Sequence, residues 1–125
     1  MTTIASNLQA VGQRIAAACE QSGRSPRSVA LLAVSKTWPS ASVREAFACG
    51  QRAFGENYVQ EALAKIAELR DLRHAQGIEW HFIGPVQSNK TKAIAEHCDW
   101  LHSLDREKLA QRLSAQRPAD LPPLQ

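Results

Sequence analysis

Four short apolar segments recur along this chain at nearly regular intervals, starting near residues 29, 53, 79 and 99. The first of them, residues 29–34, is apolar throughout and too short for a comfortable helix, which is typical of a strand buried on both faces of a parallel sheet. Helical patterns fill the intervals of 20 to 26 residues between the segment starts. This alternation predicts an α/β fold of about four successive right-handed βα units after an initial helix.

Four βα units are half of an eight-stranded (β/α)8 barrel, which usually has about 250 residues. A length of 125 residues is suited to one core. We therefore interpret residues 1–125 as a single, partial barrel domain. A fifth strand of such a barrel would be expected near residues 121–125, where the sequence stops.

Local patterns set the expected limits of the first helix and of the later strands. Apolar residues at helical spacing predict an amphipathic helix from Ile4 to about Ala18, ending before Gly23. The later strands are expected at residues 53–55, at 79–83 and at about 99–103.

Polar residues that can cap a helix mark the expected starts of the later helices. Ser42 and Asn57 each have a residue three positions on, Glu45 and Gln60, that could complete a reciprocal cap. The next helix is expected to begin near Ser88 or Asn89, and Asp105 is expected to cap the last one.

The composition excludes several classes of protein. With 44% hydrophobic and 22% charged residues, the chain is neither disordered nor fibrous. Its apolar runs are shorter than the roughly 20 residues of a membrane-spanning helix, and its first residues lack the layout of a signal peptide, so we expect a cytoplasmic protein without a membrane partner. The formal net charge of +3 is modest and spread over helix faces, so nucleic-acid binding is not expected.

The cysteines and the familiar motifs add further exclusions. Cys19, Cys49 and Cys98 are an odd number without C-x-x-C spacing, so the sequence suggests neither a disulfide framework nor a zinc site. Glycine-rich phosphate loops, metalloprotease motifs and nucleophile-elbow motifs are also missing from the sequence. We expect reduced, structural cysteines and no metal.

Lys36 is the most informative single residue, because it follows the first apolar strand. Ligands of α/β barrels collect at the carboxyl ends of the strands. Partial desolvation there lowers the pKa of a lysine, and its neutral amine can attack an aldehyde to form an imine. A lysine that simply marks the exit of the strand into solvent is the alternative, and position alone favours that alternative.

Other polar residues are expected at the same edge of the sheet. Asn57 follows the second strand and either contributes to a site or only caps the next helix. His81 lies in the third strand, where a lone histidine is more often a hydrogen-bonded core residue than a catalyst. Lys90 and Lys92 fall near a helix start, where cations are disfavoured unless an anion or an acidic neighbour is close. Solvated surface lysines are the commoner explanation for them.

Three segments taken together closely resemble one known family. They are residues 32–37 (Leu-Ala-Val-Ser-Lys-Thr), 54–62 (Phe-Gly-Glu-Asn-Tyr-Val-Gln-Glu-Ala) and 80–90 (Trp-His-Phe-Ile-Gly-Pro-Val-Gln-Ser-Asn-Lys). In order and spacing they are similar to the YggS/PROSC family of pyridoxal phosphate homeostasis proteins. The resemblance covers essentially the whole chain and matches the amino-terminal half of such a protein.

The resemblance implies a barrel that binds pyridoxal 5'-phosphate (PLP), similar to the amino-terminal domain of alanine racemase. Lys36 would hold the cofactor as a Schiff base, Asn57 would lie beside the cofactor ring or its lysine, and His81 and Ser103 would line the same barrel mouth. The family is regarded as a carrier or regulator of PLP without established catalytic turnover. The resemblance therefore implies no catalytic residues, and it makes PLP-dependent apoenzymes candidate partners.

Two alternatives to the carrier remain open. A racemase-like enzyme would need a second base opposite Lys36, for which the sequence offers no convincing candidate. An interaction module that no longer binds the cofactor is the other alternative.

The length of the chain departs from the family pattern, because members run to roughly twice this length, as a complete barrel would. The phosphate site of a barrel usually lies after strands 7 and 8. This chain would therefore keep the lysine that binds the cofactor covalently but lack the residues that bind its phosphate. Half a barrel also leaves strand edges and an apolar inner face uncovered. We expect two copies to pair through these edges as a homodimer.

Overall fold

The computed structural model describes residues 3–125, apart from the side chain of His74. After an initial helix, four strands alternate with four more helices: α1 (Ile4–Gln21), β1 (Ala33–Val34), α2 (Ser40–Ala48), β2 (Ala53–Glu56), α3 (Val59–Glu68), β3 (Glu79–Phe82), α4 (Thr91–His97), β4 (Trp100–Leu101) and α5 (Glu107–Gln116). Short 3-10 turns lie at Pro26–Ser28, Arg70–Leu72, His74–Gln76 and Ser88–Lys90.

The four strands form one parallel sheet in the order β1-β2-β3-β4. Each strand pairs with the next one in sequence, and right-handed crossovers then place the intervening helices on a single face of the sheet. This confirms the predicted α/β fold of βα units, and the arrangement is that of half a (β/α)8 barrel.

The first strand is shorter than predicted. Residues 29–34 were expected to be extended, but only Ala33–Val34 pair with β2. Just upstream, the side-chain amide of Gln51 donates to the carbonyl oxygens of Leu31 (2.7 Å) and Ala53 (2.8 Å). The Gln51 side chain therefore joins the segment before β1 to the start of β2, where the sequence pattern predicted backbone hydrogen bonds between two strands.

The predicted caps of three helices are wrong. Helix α2 begins at Ser40, directly after Pro39, because the fixed φ of proline suits a helix entrance. In α3 and α5 the cap positions are held by Tyr58 and Arg106, one residue beyond Asn57 and Asp105, and neither helix has a side-chain cap within the described residues.

A capping box does exist, at the first helix. The Ser6 amide donates to the Thr3 hydroxyl oxygen (3.1 Å), and the Thr3 amide donates to the Ser6 hydroxyl oxygen (2.9 Å). Serine at this position replaces the usual Glu or Gln, so the pattern is hard to see in the sequence.

The core lies between the sheet and the helices. One cluster packs Phe54 of β2 and Trp80 of β3 against α2 and α3, and a second packs Phe82 of β3 against α4 and α5. Cys19 and Cys98 are buried and Cys49 is exposed, and all three are free thiols. Burial raises the pKa of the Cys98 thiol to about 12, in line with a structural cysteine.

The backbone of Gln125 lies along the outer edge of β4. Its amide donates to the Asp99 carbonyl (3.1 Å), and its carbonyl accepts from the Leu101 amide (2.8 Å). This is one rung of a parallel ladder, opposite Trp100. It occupies the position at which the sequence predicted a fifth strand.

Candidate functional site

Lys36 lies in a tight turn directly after β1, at the carboxyl edge of the sheet, as the sequence predicted. The turn is closed by the Trp38 amide, which donates to the Ser35 carbonyl (3.1 Å). The Lys36 residue is exposed, while the preceding Ser35 is buried. The chain therefore anchors the base of the turn and presents the lysine to the space above the strands.

Thr37 gives this turn an unusual backbone. Its φ is 68°, which makes it the only non-glycine residue with a positive φ in the described part of the chain. This left-handed conformation costs an L-residue about 1–2 kcal/mol, and β-branched residues are rarely found in it. The Thr37 hydroxyl donates to the Lys36 carbonyl (2.5 Å) and the Thr37 amide donates to Glu61 Oε2 (2.6 Å), so local polar contacts hold the turn.

A buried ion pair lies directly beneath the turn. The Lys65 ammonium of α3 donates to Glu56 Oε2 (2.9 Å), to Glu61 Oε2 (2.9 Å) and to the Ser35 carbonyl (2.6 Å). The Lys65 and Glu56 side chains are only 6% and 1% exposed. The Ser35 hydroxyl also donates to Glu56 Oε2. We call Ser35, Glu56, Glu61 and Lys65 the ion network.

The charges of the ion network are tightly interdependent. The hydrogen bond from Lys65 lowers the pKa of the Glu61 carboxyl, and the Thr37 amide adds to the effect. Removing one partner of a buried pair typically costs about 3–5 kcal/mol, because the other charge is left uncompensated. Sequence analysis missed Lys65. Its position on the same helix face as the apolar Ala62 and Ile66 could have indicated a buried lysine.

Asn57 and Ser103 meet at Gly84, at the carboxyl ends of β2, β3 and β4. Gly84 packs so closely on the Asn57 carbonyl that a Cβ atom there would overlap it. The Ser103 hydroxyl donates to the Gly84 carbonyl. The buried Oδ1 atom of Asn57 has no hydrogen-bond partner among the described residues. Two of the predicted site residues are thus brought together, although Asn57 does not cap α3.

A small cavity of about 240 Å³ opens beside Asn57. Its lining includes Gln60, Phe82, Gln87 and Lys90, so it combines amide groups, one aromatic ring and one ammonium group. Lys92, in the first turn of α4, lies 3.8 Å from the Glu96 carboxylate, and its side chain is 77% exposed, as for a solvated surface lysine.

His81 belongs to a different cluster. It lies within β3, with Nε2 at 3.1 Å from Glu79 Oε1 and Nδ1 at 2.9 Å from His102 Nε2. Its ring stacks on Trp100 at 5.4 Å between centroids. Burial lowers the pKa of His81, outweighing the bond to Glu79 that raises it. Both ring nitrogens are within hydrogen-bond distance of protein groups. The predicted contact of His81 with a ligand stays a prediction.

Residues 3–125 contain no helix long and apolar enough to cross a membrane. The side chains described there include no group of three or more His, Cys, Asp or Glu residues that could hold a metal ion.

Comparison with known proteins gives close relatives along the whole chain, although no family model matches it. The chain is 63% identical over 124 residues to the pyridoxal phosphate homeostasis protein of Pseudomonas aeruginosa, covering 99% of this chain and 52% of the relative. It is 55% identical over 124 residues to the protein of the same name from Escherichia coli K12, of which it covers 53%. The chain therefore spans about half the length of these curated relatives.

Two solved structures are similar to this chain in both fold and sequence. PipY of Synechococcus elongatus PCC7942, solved with PLP bound, is 50% identical with a TM-score of 0.70 over 85% of this chain and 47% of PipY. A protein of unknown function from Bifidobacterium adolescentis is 36% identical with a TM-score of 0.82, over 90% of this chain and 49% of the other.

The close packing at Gly84 predicts a large effect of one methyl group. Gly84→Ala should destabilise the fold by about 1–3 kcal/mol, because the new Cβ displaces the Asn57 backbone. Gly12→Ala is the matched control, since Gly12 lies inside α1 with open space around it and alanine favours helices by about 0.5–1 kcal/mol. Urea unfolding of both variants would measure the difference. Equal stability of the two would show that Asn57 yields without cost.

The lowered pKa of His81 predicts a pH-dependent stability. Because the folded state favours the neutral ring, the unfolded chain binds more protons as the pH falls below the ordinary value of 6.5, and the free energy of unfolding should fall there. Glu79, Asp99 and His102 are the groups that act on this ring. Urea unfolding at about pH 7.5 and about pH 5.5 should show a smaller loss in His81→Gln than in the parent chain. His97→Gln, at an exposed position, serves as the control, and an unchanged loss in His81→Gln would contradict the prediction.

Proposed function

We propose that this chain, which is 63% identical over 124 residues to a pyridoxal phosphate homeostasis protein, belongs to that family and binds PLP reversibly through Lys36. The observation that carries the proposal is the placement of this one lysine. Lys36 is exposed at the carboxyl end of β1, in a constrained turn on the edge of the sheet where βα proteins bind their ligands. A relative of 50% identity and similar fold has PLP bound.

Polar residues at the same edge of the sheet as Lys36 fit such a cofactor. PLP supplies an aldehyde, with which the neutral amine of a lysine condenses to an imine and one water molecule, a reversible covalent bond. Asn57, with a buried oxygen that has no partner among the described residues, and Ser103 are the polar groups we propose beside the cofactor. The cavity at Asn57 opens at the same edge of the sheet, although neither Lys36 nor Ser103 lines it.

We propose a carrier and not a catalyst. Turnover would need an acid or base placed at the reacting carbon, in addition to the lysine. The two carboxylates that contact the turn of Lys36, Glu56 through Ser35 and Glu61 through Thr37, are both paired with Lys65 in the ion network. The relatives are named homeostasis proteins and not racemases.

We further propose that residues 1–125 act as one partial barrel domain in the cytoplasm, delivering PLP to apoenzymes that use it. Three free thiols suit a reducing compartment. In complete βα barrels the phosphate site usually lies after strands 7 and 8. The contact with PLP that we propose within residues 1–125 is the imine to Lys36.

A second candidate, a self-associating module, is favoured by the open face of the sheet. β1 is an edge strand, and Val34 and Trp100 are 50% and 40% exposed on the face that lacks helices. Two copies could cover these side chains by pairing their four-stranded halves.

The cofactor proposal predicts a visible imine band when the chain is titrated with PLP. Lys36→Ala should lose the band, and borohydride reduction followed by peptide mapping should place the adduct of the parent chain on Lys36. Lys92→Ala is the matched control, because Lys92 is an exposed lysine outside the turn. Adducts scattered over many lysines would contradict the proposal. Racemisation of alanine that depends on Lys36 would favour the enzyme instead.

The pairing of two copies predicts a dimer in solution. Sedimentation at micromolar concentration should show twice the chain mass of 13.7 kDa. Val34→Lys, which places a charge on the open face, should shift the chain toward monomer while preserving the helical circular-dichroism signal. A stable, folded monomer of the parent chain would rule out this mode of association.

A further inference from the structure

The turn that carries Lys36 is held from both sides by charged groups of one helix. On the amino-terminal side, the Lys65 ammonium donates to the Ser35 carbonyl (2.6 Å). On the carboxyl-terminal side, the Thr37 amide donates to Glu61 Oε2 (2.6 Å). Glu61 and Lys65 are one helical turn apart in α3, and they are themselves paired at 2.9 Å. The two peptide groups that flank Lys36 are therefore bound to a single rigid element.

We infer that Glu61 and Lys65 are positioning residues for Lys36, which fix the backbone of its turn so that its amine meets the cofactor in one orientation. The inference rests on the proposed function of Lys36 and adds to it the device that prepares the lysine for binding. We propose no contact of either residue with the cofactor, so each acts only through the turn.

The geometry of Lys65 suits such a device. An ammonium group has three donors, and Lys65 directs bonds to three acceptors, which are Ser35 O, Glu56 Oε2 and Glu61 Oε2. Glu56 lies on β2, so the ammonium joins the end of β1, the end of β2 and helix α3 at one point. Burial of the pair shields it from screening by salt.

The conformation of Thr37 supplies an independent observation. A β-branched residue at φ 68° persists only where its surroundings determine the backbone, and such residues are frequent at ligand sites. The Glu61 carboxylate is the acceptor of the amide of that same residue. Loss of Glu61 therefore removes a contact that holds Thr37 in this conformation.

Glu61→Ala is the variant that separates positioning from folding, because the Glu61 side chain is 28% exposed while Lys65 and Glu56 are buried. Glu61→Gln keeps an oxygen that can accept the Thr37 amide and should behave between the parent chain and Glu61→Ala. Glu68→Ala is the matched control, since Glu68 is exposed on the same helix.

Two readouts test the inference. Amide hydrogen exchange of Thr37, followed by NMR without cofactor, should be fast in Glu61→Ala, while the amides of β2 and β3 keep their protection. In the PLP titration, Glu61→Ala should weaken the imine by about tenfold, the effect expected for a lost hydrogen bond to a charged group. Glu68→Ala should match the parent chain in both.

The outcomes distinguish this inference from the proposed function. If the parent chain gives no imine, the proposed function fails, and the exchange of the Thr37 amide still shows whether Glu61 holds the turn. If the parent chain gives the imine and Glu61→Ala binds PLP equally well, the proposed function stands and the positioning role is overturned. Unchanged protection of the Thr37 amide in Glu61→Ala would also overturn it.

Discussion

The longest ladder in the sheet, between β2 and β3, determines which side chains meet the helices and which remain open. It pairs Phe54 with Trp80 and Gly55 with His81. Phe54 and Trp80 are buried beneath α2 and α3, while His81 lies on the opposite face. Because side chains alternate along a strand, a register shift of one residue would exchange these two sets. The hydrophobic core and the polar edge therefore depend on the same pairing.

The polar edge follows from where the strands end. Lys36, Asn57 and Ser103 follow the ends of β1, β2 and β4. Because the strands are parallel, all three lie at the carboxyl edge of the sheet. Gly84, which follows β3, has no side chain and lets Asn57 and Ser103 approach the same backbone. The edge thus carries an exposed amine after β1 and a closely packed group of polar residues after the other strands.

The sequence predicted the features that depend on periodicity and missed those that depend on contacts between distant residues. The strand spacing and the position of Lys36 were predictable, because apolar runs and chain order determine them. The helix starts at Asn57 and Asp105 were not, since a residue that can cap a helix need not lie in the cap position. The ion network was missed because Ser35, Glu56 and Lys65 are far apart in sequence. The strained φ of Thr37 leaves no mark in the composition.

Burying the charges of Lys65 and Glu56 contributes little to the free energy of folding. Charges lose their hydration on burial, and well-packed apolar residues of similar volume are often as stabilising as an ion pair or more so. A methionine at position 65 and a leucine at position 56 could fill the same space, but they could not bind the Ser35 carbonyl or orient the Glu61 carboxylate. The value of these charges therefore lies in the directed hydrogen bonds that they make. One of those bonds ends on the Ser35 carbonyl, and the Glu61 carboxylate that Lys65 orients accepts from the Thr37 amide. The electrostatic cost of burial is therefore linked to the conformation of the turn that carries the amine.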